Sequence, residues 1–249
     1  MPGSGVEPTS RARSALRSTA GFLGSHGLFF LATAIGCAVV VVLTWASAEV
    51  YESVKNADGL AALDEPVLAR AVALRTPTNV GIVNVFTQLG GGLWMTVITI
   101  AIVALMTFFW RSRTPIIVIG VGVAGSLLMT VVGKDLVGRA RPPLSAAIPP
   151  YESSPSFPSG HTLNSTVIAS LVAYLLCLHL TSILARILTV VLAIAWFVAM
   201  GLSRVFLGHH WLTDVIAGWT LGLAWVAVVI GAHQLVLHVR AHRRQAIEA

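Results

Sequence analysis

Residues 114–133, with the sequence TPIIVIGVGVAGSLLMTVVG, form a run of 20 residues without an Asp, Glu, Lys or Arg. An α-helix needs about 20 mostly apolar residues to cross a bilayer, because its backbone polar groups must be satisfied within the segment where no water is present. Arg113 precedes the run and Lys134 follows it. The run therefore predicts a transmembrane helix with a charged residue at each end.

The rest of the chain contains five further runs that lack these four residue types, and each can hold a membrane span. They are residues 18–48, 76–110, 153–185, 187–203 and 215–239. The run 187–203 is at the short limit, and Arg186 before it is expected to extend toward the headgroups. Only 10% of the residues are charged, against roughly 25% in an average soluble domain. We therefore predict an all-α, six-span transmembrane bundle rather than a large soluble helical protein.

The segment between the first two spans contains a shorter helical pattern. Asp64, Glu65 and Pro66 are typical of a helix start, and the apolar residues within 67–72 then fall on one face. This pattern predicts an interfacial helix, with an irregular loop as the alternative. The three glycines of residues 90–92 leave the start of the second span undefined.

The positions of Lys and Arg predict the orientation of the chain in the cell membrane. Six spans place both termini on one side, and nine cations fall there, whereas the other side has seven cations accompanied by eight acids. The positive-inside rule then predicts that both termini are cytoplasmic. The scattered cations also argue against nucleic acid as a partner, since they form no basic run.

Three parts of the chain are expected from these patterns. Residues 1–24 are predicted to be a disordered basic cytoplasmic tail, residues 25–239 the six-span domain, and residues 240–249 a second cytoplasmic tail. Residues 46–48 (Ala-Ser-Ala) resemble a signal-peptidase site, but the apolar stretch before them is longer than the usual 7 to 15 residues or so, which favours a retained first span. Cys37 and Cys177 lie inside apolar runs and predict neither a disulfide nor a zinc site.

Polar residues capable of chemistry cluster at the ends of the third, fourth, fifth and sixth spans, all on the predicted outer side. The clusters are Lys134 with Arg141, then Ser159-Gly160-His161, then Ser203-Arg204 with His210 and Asp214. Each cluster alone has an ordinary structural explanation, such as a flanking cation or a helix cap. Their coincidence at one membrane surface indicates a functional site, because ionisable groups at this depth are costly.

Phosphoryl transfer is the chemistry that requires such a set, because it depends on positioning and on donors aimed at the phosphoryl oxygens. Arg141 and Arg204 offer planar pairs of donors, and Lys134 adds a point charge. The backbone N–H groups of Ser159 and Gly160, at the expected start of the fourth span, would add helix-terminus donors.

His210 and Asp214 are four residues apart and would share one face of a helix. The carboxylate could then accept from one ring nitrogen and leave the other free to attack phosphorus, with His161 as the general acid and base. A zinc site formed by His161, His210 and Asp214 is the alternative, but nearby cations would repel a divalent ion. We therefore predict no metal and no cofactor. The roles of His209 and Arg139 stay open.

The order and spacing of these residues resemble a known three-part signature. Lys134 is followed after six residues by Arg141-Pro142, then by Pro158-Ser159-Gly160-His161, and then by Ser203-Arg204 with His210 and Asp214. The pattern is similar to that of the type 2 phosphatidic acid phosphatase superfamily, which includes vanadium haloperoxidases. The signature region covers about residues 115–231. The resemblance implies that Lys134, Arg141, Ser159, Gly160 and Arg204 bind phosphate, that His161 is the acid, and that His210 is the nucleophile with Asp214 as its partner.

The resemblance implies a helical bundle with its site at the extracytoplasmic membrane surface. It also implies a membrane lipid phosphate as substrate: phosphatidic acid, phosphatidylglycerophosphate or undecaprenyl diphosphate. A lipid or phosphate transporter that uses the same basic pocket without hydrolysis is the alternative, and halide oxidation with bound vanadate is a third hypothesis. The sequence indicates neither the lipid nor the oligomeric state.

Overall fold

The computed structural model of the protein describes residues 10–248, and the side chains of residue 27 and of residues 29–243. Eight α-helices are present within this range, and none of its residues is in a β-strand. They are α1 (Ser10–Asn56), α2 (Asp64–Ala73), α3 (Pro77–Gln88), α4 (Gly92–Trp110), α5 (Thr114–Val137), α6 (Gly160–His179), α7 (Ile183–Phe206) and α8 (Leu212–Glu248). The predicted all-α class is confirmed.

Six of these helices, α1 and α4 to α8, are long and apolar enough to cross a membrane by length and composition. They correspond to the six uncharged runs of the sequence. The helix within the short run 187–203 is extended at both ends, because α7 begins at Ile183 and includes Arg186 and Arg204. The predicted six-span bundle is therefore confirmed.

The run 76–110 is divided into two helices rather than one. Helix α3 begins with a reciprocal cap between Thr76 and Asn79, with Pro77 in the first turn, and α4 begins only at Gly92. Consecutive glycines interrupt the helix because glycine loses the most backbone entropy in a helix. At Gly90 an added Cβ would lie 2.5 Å from Met200 Sδ and 3.2 Å from His161 Cδ2, so α7 and α6 approach this turn closely.

Two predicted boundaries differ from the helix ends. Helix α1 begins at Ser10, within the segment 1–24 that we predicted as a disordered tail, and α8 continues to Glu248 through the predicted C-terminal tail. Residues 10–20 contain neither proline nor glycine and include three Ala and three Arg, which favour helix. Residues 1–9 lie outside the described residues. Helix α2 forms where the short pattern predicted a helix, and its interfacial position stays a prediction.

Helix α6 is the centre of the bundle and packs against α5, α7 and α8, while α1 lies along α8. Its apolar residues Leu163, Val167, Leu171 and Leu175 are at most 1% exposed and form the core with α5 and α8. Helix α8 approaches closely because Gly218 faces Thr162, where an added Cβ would lie 2.9 Å from the threonine Cβ. Small residues permit such contacts between membrane helices. This packing brings the C-terminal ends of α5 and α7 to the N-terminal starts of α6 and α8.

Candidate active site

His210 and Asp214 lie at the start of α8, and both side chains are buried. The His210 Nδ1 atom is 3.4 Å from Asp214 Oδ2. The same oxygen accepts a hydrogen bond from Ser156 Oγ at 2.5 Å and from the backbone N–H of Trp211 at 2.9 Å. Since α8 begins at Leu212, His210 precedes the helix, and the two side chains meet around its first turn rather than along one helical face.

The other ring nitrogen of His210 faces a guanidinium group. Its Nε2 atom is 3.2 Å from Arg141 Nη1. Arginine has no acceptor, so this contact assigns the lone pair to Nε2 and the proton to Nδ1, on the side of Asp214. Burial lowers the pKa of His210 to about 4, with Arg204 and Arg141 acting in the same direction and Asp214 opposing them. The imidazole is therefore neutral near pH 7, with a lone pair directed toward the cations.

Arg141 and Arg204 converge on a single anionic group, the carboxylate of Glu152. Arg141 Nη2 is 2.7 Å from Glu152 Oε2, and Arg204 Nη2 forms an ion pair with Glu152 Oε1. Burial raises the pKa of Glu152, but the two guanidinium groups outweigh this effect and lower it to about 2. The two arginines that the sequence predicted as phosphate ligands thus form one anion-binding pocket, and Glu152 occupies it.

Arg204 is held in place from the opposite side by α3. The side chain is 2% exposed, and its Nη1 donates to Thr87 Oγ1 at 3.0 Å. Its Nε has no hydrogen-bond partner among the described residues. A buried guanidinium with an unused donor has the capacity to bind a further acceptor.

The segment between α5 and α6 covers the remaining cation. Lys134 Nζ donates to Ser154 Oγ at 2.9 Å and to the carbonyl oxygen of Pro155 at 2.5 Å. Arg141 Nε donates to the carbonyl oxygen of Ser154 at 2.7 Å. Residues 152–156 therefore contact all three predicted phosphate-binding cations, and Ser156 contacts Asp214.

Ser159 and Gly160 lie at the start of α6, as expected, but the serine N–H is used differently from our expectation. It donates to the backbone carbonyl oxygen of Asp214 at 3.1 Å, so it joins α6 to α8 rather than pointing to an anion. The Ser159 side chain is buried and accepts from Thr162 Oγ1 at 2.9 Å. Gly160 lines the cavity beside His161.

His161 and His210 line the same cavity, which has a volume of about 860 Å³. Lys134, Glu152 and Ser154 form its polar end. The rest of the cavity runs between α4, α5 and α6 along mainly apolar side chains. They include Ile100, Val103, Ile119, Val123, Leu127 and Ile168. The polar groups therefore stand at one end of a long apolar cavity.

Two residues whose roles the sequence left open also contact the site. Arg139 Nη1 donates to Asp214 Oδ1 at 2.6 Å and Arg139 Nη2 to Asp64 Oδ2 at 2.6 Å. His209 Nε2 is 2.6 Å from the carbonyl oxygen of Ile148, to which it donates. His209 thus holds the segment between α5 and α6. Sequence reasoning missed the contacts of Glu152 and Ser156, which are polar residues of a loop, and of Asp64, which was marked only as a helix start.

The chain is similar in sequence to known proteins. Residues 115–236 match the family model of the PAP2 superfamily. The chain is 32% identical over 182 residues to phosphatidylglycerophosphatase B of Bacillus subtilis, covering 71% of this chain and 86% of that protein. It is 32% identical over 133 residues to the undecaprenyl-diphosphatase of Sulfolobus acidocaldarius, covering 51% of this chain and 59% of that protein.

Solved structures give the same result. The crystal structure of the PAP2-type phosphatidylglycerolphosphate phosphatase of Bacillus subtilis superposes with a TM-score of 0.72 at 28% identity, covering 79% of this chain and 96% of that one. The structure of LpxE from Aquifex aeolicus shares the fold, with a TM-score of 0.54 at 17% identity over 68% of this chain and 94% of that one. These relatives and the six apolar helices define a multi-pass membrane phosphatase. The chain belongs to the PAP2 superfamily.

Proposed function

We propose that the protein hydrolyses a membrane lipid phosphate through a phosphohistidine on His210. The observation that carries this proposal is the position of the Glu152 carboxylate, which is bound by Arg141 and Arg204. The same Arg141 contacts Nε2 of His210. An anion held by these guanidinium groups would lie beside the nucleophilic nitrogen. In the proposed complex, the phosphoryl group of the substrate replaces the Glu152 carboxylate.

The first chemical step transfers the phosphoryl group to the histidine. The lone pair of His210 Nε2 attacks phosphorus while the bond from phosphorus to the lipid oxygen breaks. His161 donates a proton to the departing oxygen. The Nδ1 proton stays directed to Asp214, whose negative charge stabilises the charged imidazole ring. Arg141, Arg204 and Lys134 bind the phosphoryl oxygens as charge spreads over them.

The second step returns the enzyme to its starting state. His161, now neutral, accepts a proton from water as the water oxygen attacks the phosphorus of the phosphohistidine. The bond from Nε2 to phosphorus breaks, its electron pair returns to the ring, and inorganic phosphate leaves. Because no step uses a metal ion, we propose metal-independent catalysis without a cofactor. The site agrees with this proposal, since its positive charge comes from Lys134, Arg141 and Arg204.

The apolar part of the cavity supports a lipid as the substrate. Its walls would contact an acyl or prenyl chain, while the polar end receives the phosphate. The names of the two curated relatives specify phosphatidylglycerophosphate and undecaprenyl diphosphate. We propose these two lipids and phosphatidic acid as candidate substrates. We further propose that both termini are cytoplasmic and that the site opens at the extracytoplasmic surface.

The test is a phosphate-release assay on the purified full chain in lipid vesicles, with each of the three lipids in turn and excess EDTA throughout. Wild type should release phosphate from at least one lipid, and His210→Ala should reduce kcat by at least about 10²-fold. His179→Ala, at the opposite end of α6, is the matched control. No release by wild type, or full activity in His210→Ala, would overturn the proposal, and lipid transport that persists in His210→Ala would favour a transporter.

A further inference from the structure

Arg139 forms ion pairs with two buried carboxylates that belong to different helices. One is Asp214, and the other is Asp64 in the first turn of α2, which is 3% exposed. Asp64 also accepts from the backbone N–H of Thr213 at 2.9 Å and from Thr213 Oγ1 at 2.7 Å. Helix α2 is thereby attached to the turn of α8 that carries the proposed partner of the nucleophile.

Asp64 and Arg139 line a separate, smaller cavity beside α2. Neither Asp64 nor Arg139 is among the residues that line the large cavity with His161 and His210. Two carboxylates and one guanidinium leave this triad with a net charge of −1. Without the charge of Asp64, the Arg139 cation would neutralise Asp214 and reduce its attraction for a charged His210 ring.

We propose that Asp64 is a positioning residue for phosphoryl transfer, acting through Arg139 to fix the Asp214 carboxylate and to preserve its negative charge toward His210. This inference rests on the proposed function, in which Asp214 stabilises the charged ring of the nucleophile. A role limited to packing would require only that the three side chains remain in contact. An electrostatic role requires in addition that their charges affect His210 with opposite signs.

The signs of these effects can be stated in advance. Asp64→Asn removes a negative charge, leaves the Arg139 cation less compensated and should lower the pKa of His210. Arg139→Gln removes the cation and should raise it, while the double variant should return it near the wild-type value. The other titratable or charged groups around His210 are the same in every variant. They are Lys134, Arg141, Glu152, His161, Arg204 and the adjacent His209.

The experiment is a ¹³C NMR titration of histidine-labelled full chain in detergent micelles, with the His210 signal assigned by its loss in His210→Gln. We expect the pKa of His210 to change by roughly half a pH unit or more, downward in Asp64→Asn and upward in Arg139→Gln. Glu65→Gln is the matched control, because Glu65 is the next residue in the same helical turn and is exposed. Its titration should match wild type.

Kinetic measurements on the same proteins complete the test. Asp64→Asn should lower kcat roughly tenfold with little change in KM, because the lost function is orientation and charge rather than substrate binding. Arg139→Lys keeps the charge but not the paired geometry, so it should lower kcat while His210 titrates as in wild type. Shifts in the same direction for Asp64→Asn and Arg139→Gln, or shifts no larger than that of Glu65→Gln, would overturn the inference.

The two single variants keep the test decisive if one of them does not fold, since each has its own predicted direction. Failure of the proposed function would be recognised separately. Wild type that releases no phosphate from any lipid phosphate would defeat the phosphatase mechanism. The histidine titration would still show whether the charges of Asp64 and Arg139 reach His210.

Discussion

The Nε2 atom of His210 lies 3.2 Å from Nη1 of Arg141, and the same arginine binds the carboxylate of Glu152. A guanidinium donates hydrogen bonds and accepts none, so it orients the lone pair of the imidazole toward the anion pocket. The same group that neutralises the bound anion therefore also fixes the tautomer of the proposed nucleophile. This relationship connects the geometry of the site with its chemistry.

Glu152 should compete with phosphate for the two guanidinium groups. Glu152→Gln keeps the size of the side chain but removes the charge, so inorganic phosphate or vanadate should inhibit the variant at roughly tenfold lower concentration. The measurement is inhibition of lipid phosphate hydrolysis. Asp135→Asn is the control, since Asp135 is exposed at the same end of the bundle and loses the same charge. Weaker inhibition of Glu152→Gln than of wild type would show that Glu152 does not occupy the phosphate position.

Arg204 should not be replaceable by lysine. The guanidinium binds Thr87 with one nitrogen and the Glu152 carboxylate with another. The ammonium group of lysine has no such planar pair of donors. Arg204→Lys should therefore lower kcat/KM by at least about tenfold. Arg113→Lys, exposed at the other end of α5, should behave like wild type. If Arg204→Lys had the kcat/KM of wild type, the paired donors of the guanidinium would not be needed for activity.

Gly90, between α3 and α4, provides a test of the position of His161. An Ala at position 90 would place a Cβ 3.2 Å from His161 Cδ2 and 2.5 Å from Met200 Sδ, whereas a Cβ at Gly81 in α3 would meet nothing within 4 Å. Gly90→Ala should therefore displace His161 and reduce kcat roughly tenfold or more. Gly81→Ala should leave kcat within about twofold of wild type. Equal activities of the two variants would contradict the hypothesis that close packing at Gly90 positions His161.

His210 should make the protein sensitive to mild acid. Its pKa is lowered from 6.5 to about 4 by burial, so the unfolded chain binds a proton more readily than the folded one between these pH values. The associated stability is present above pH 6.5 and is lost as the pH falls toward 4. The melting temperature should fall over this range, and the fall should be smaller in His210→Gln. His179→Gln is the control and should show the pH dependence of wild type. An identical pH dependence of the melting temperature in His210→Gln and wild type would contradict the lowered pKa of His210.

The sequence was sufficient to predict the six spans, because long apolar runs without charged residues are typical of transmembrane helices. The sequence also predicted that Lys134, Arg141 and Arg204 belong to one site, since phosphoryl transfer to a histidine requires several cations near the phosphoryl group. The break at Gly90 was visible only as an uncertain helix start. The close approach of Met200 and His161 to Gly90 depends on helices that are distant in sequence.

The contacts of Glu152 and Asp64 could not be predicted in the same way. A glutamate in a loop and an aspartate at a helix start are usually solvated charges, and the helical pattern after Asp64 does not show what its side chain contacts. Their importance arises from tertiary packing, which places Glu152 between two arginines and Asp64 against the first turn of α8. Arg139 was left open for the same reason, because its two partners lie in different helices.

The most direct test of the central claim is detection of the phosphoenzyme. His161→Ala should form the phosphohistidine slowly and hydrolyse it more slowly still, because water then has no base. Rapid quenching of this variant with ³²P-labelled lipid phosphate at alkaline pH, followed by peptide mapping, should place the label on the peptide that contains His210. The label should be absent in the His161→Ala/His210→Gln double variant. Label on another residue, or phosphate release by His210→Gln at the wild-type rate, would contradict nucleophilic catalysis by His210.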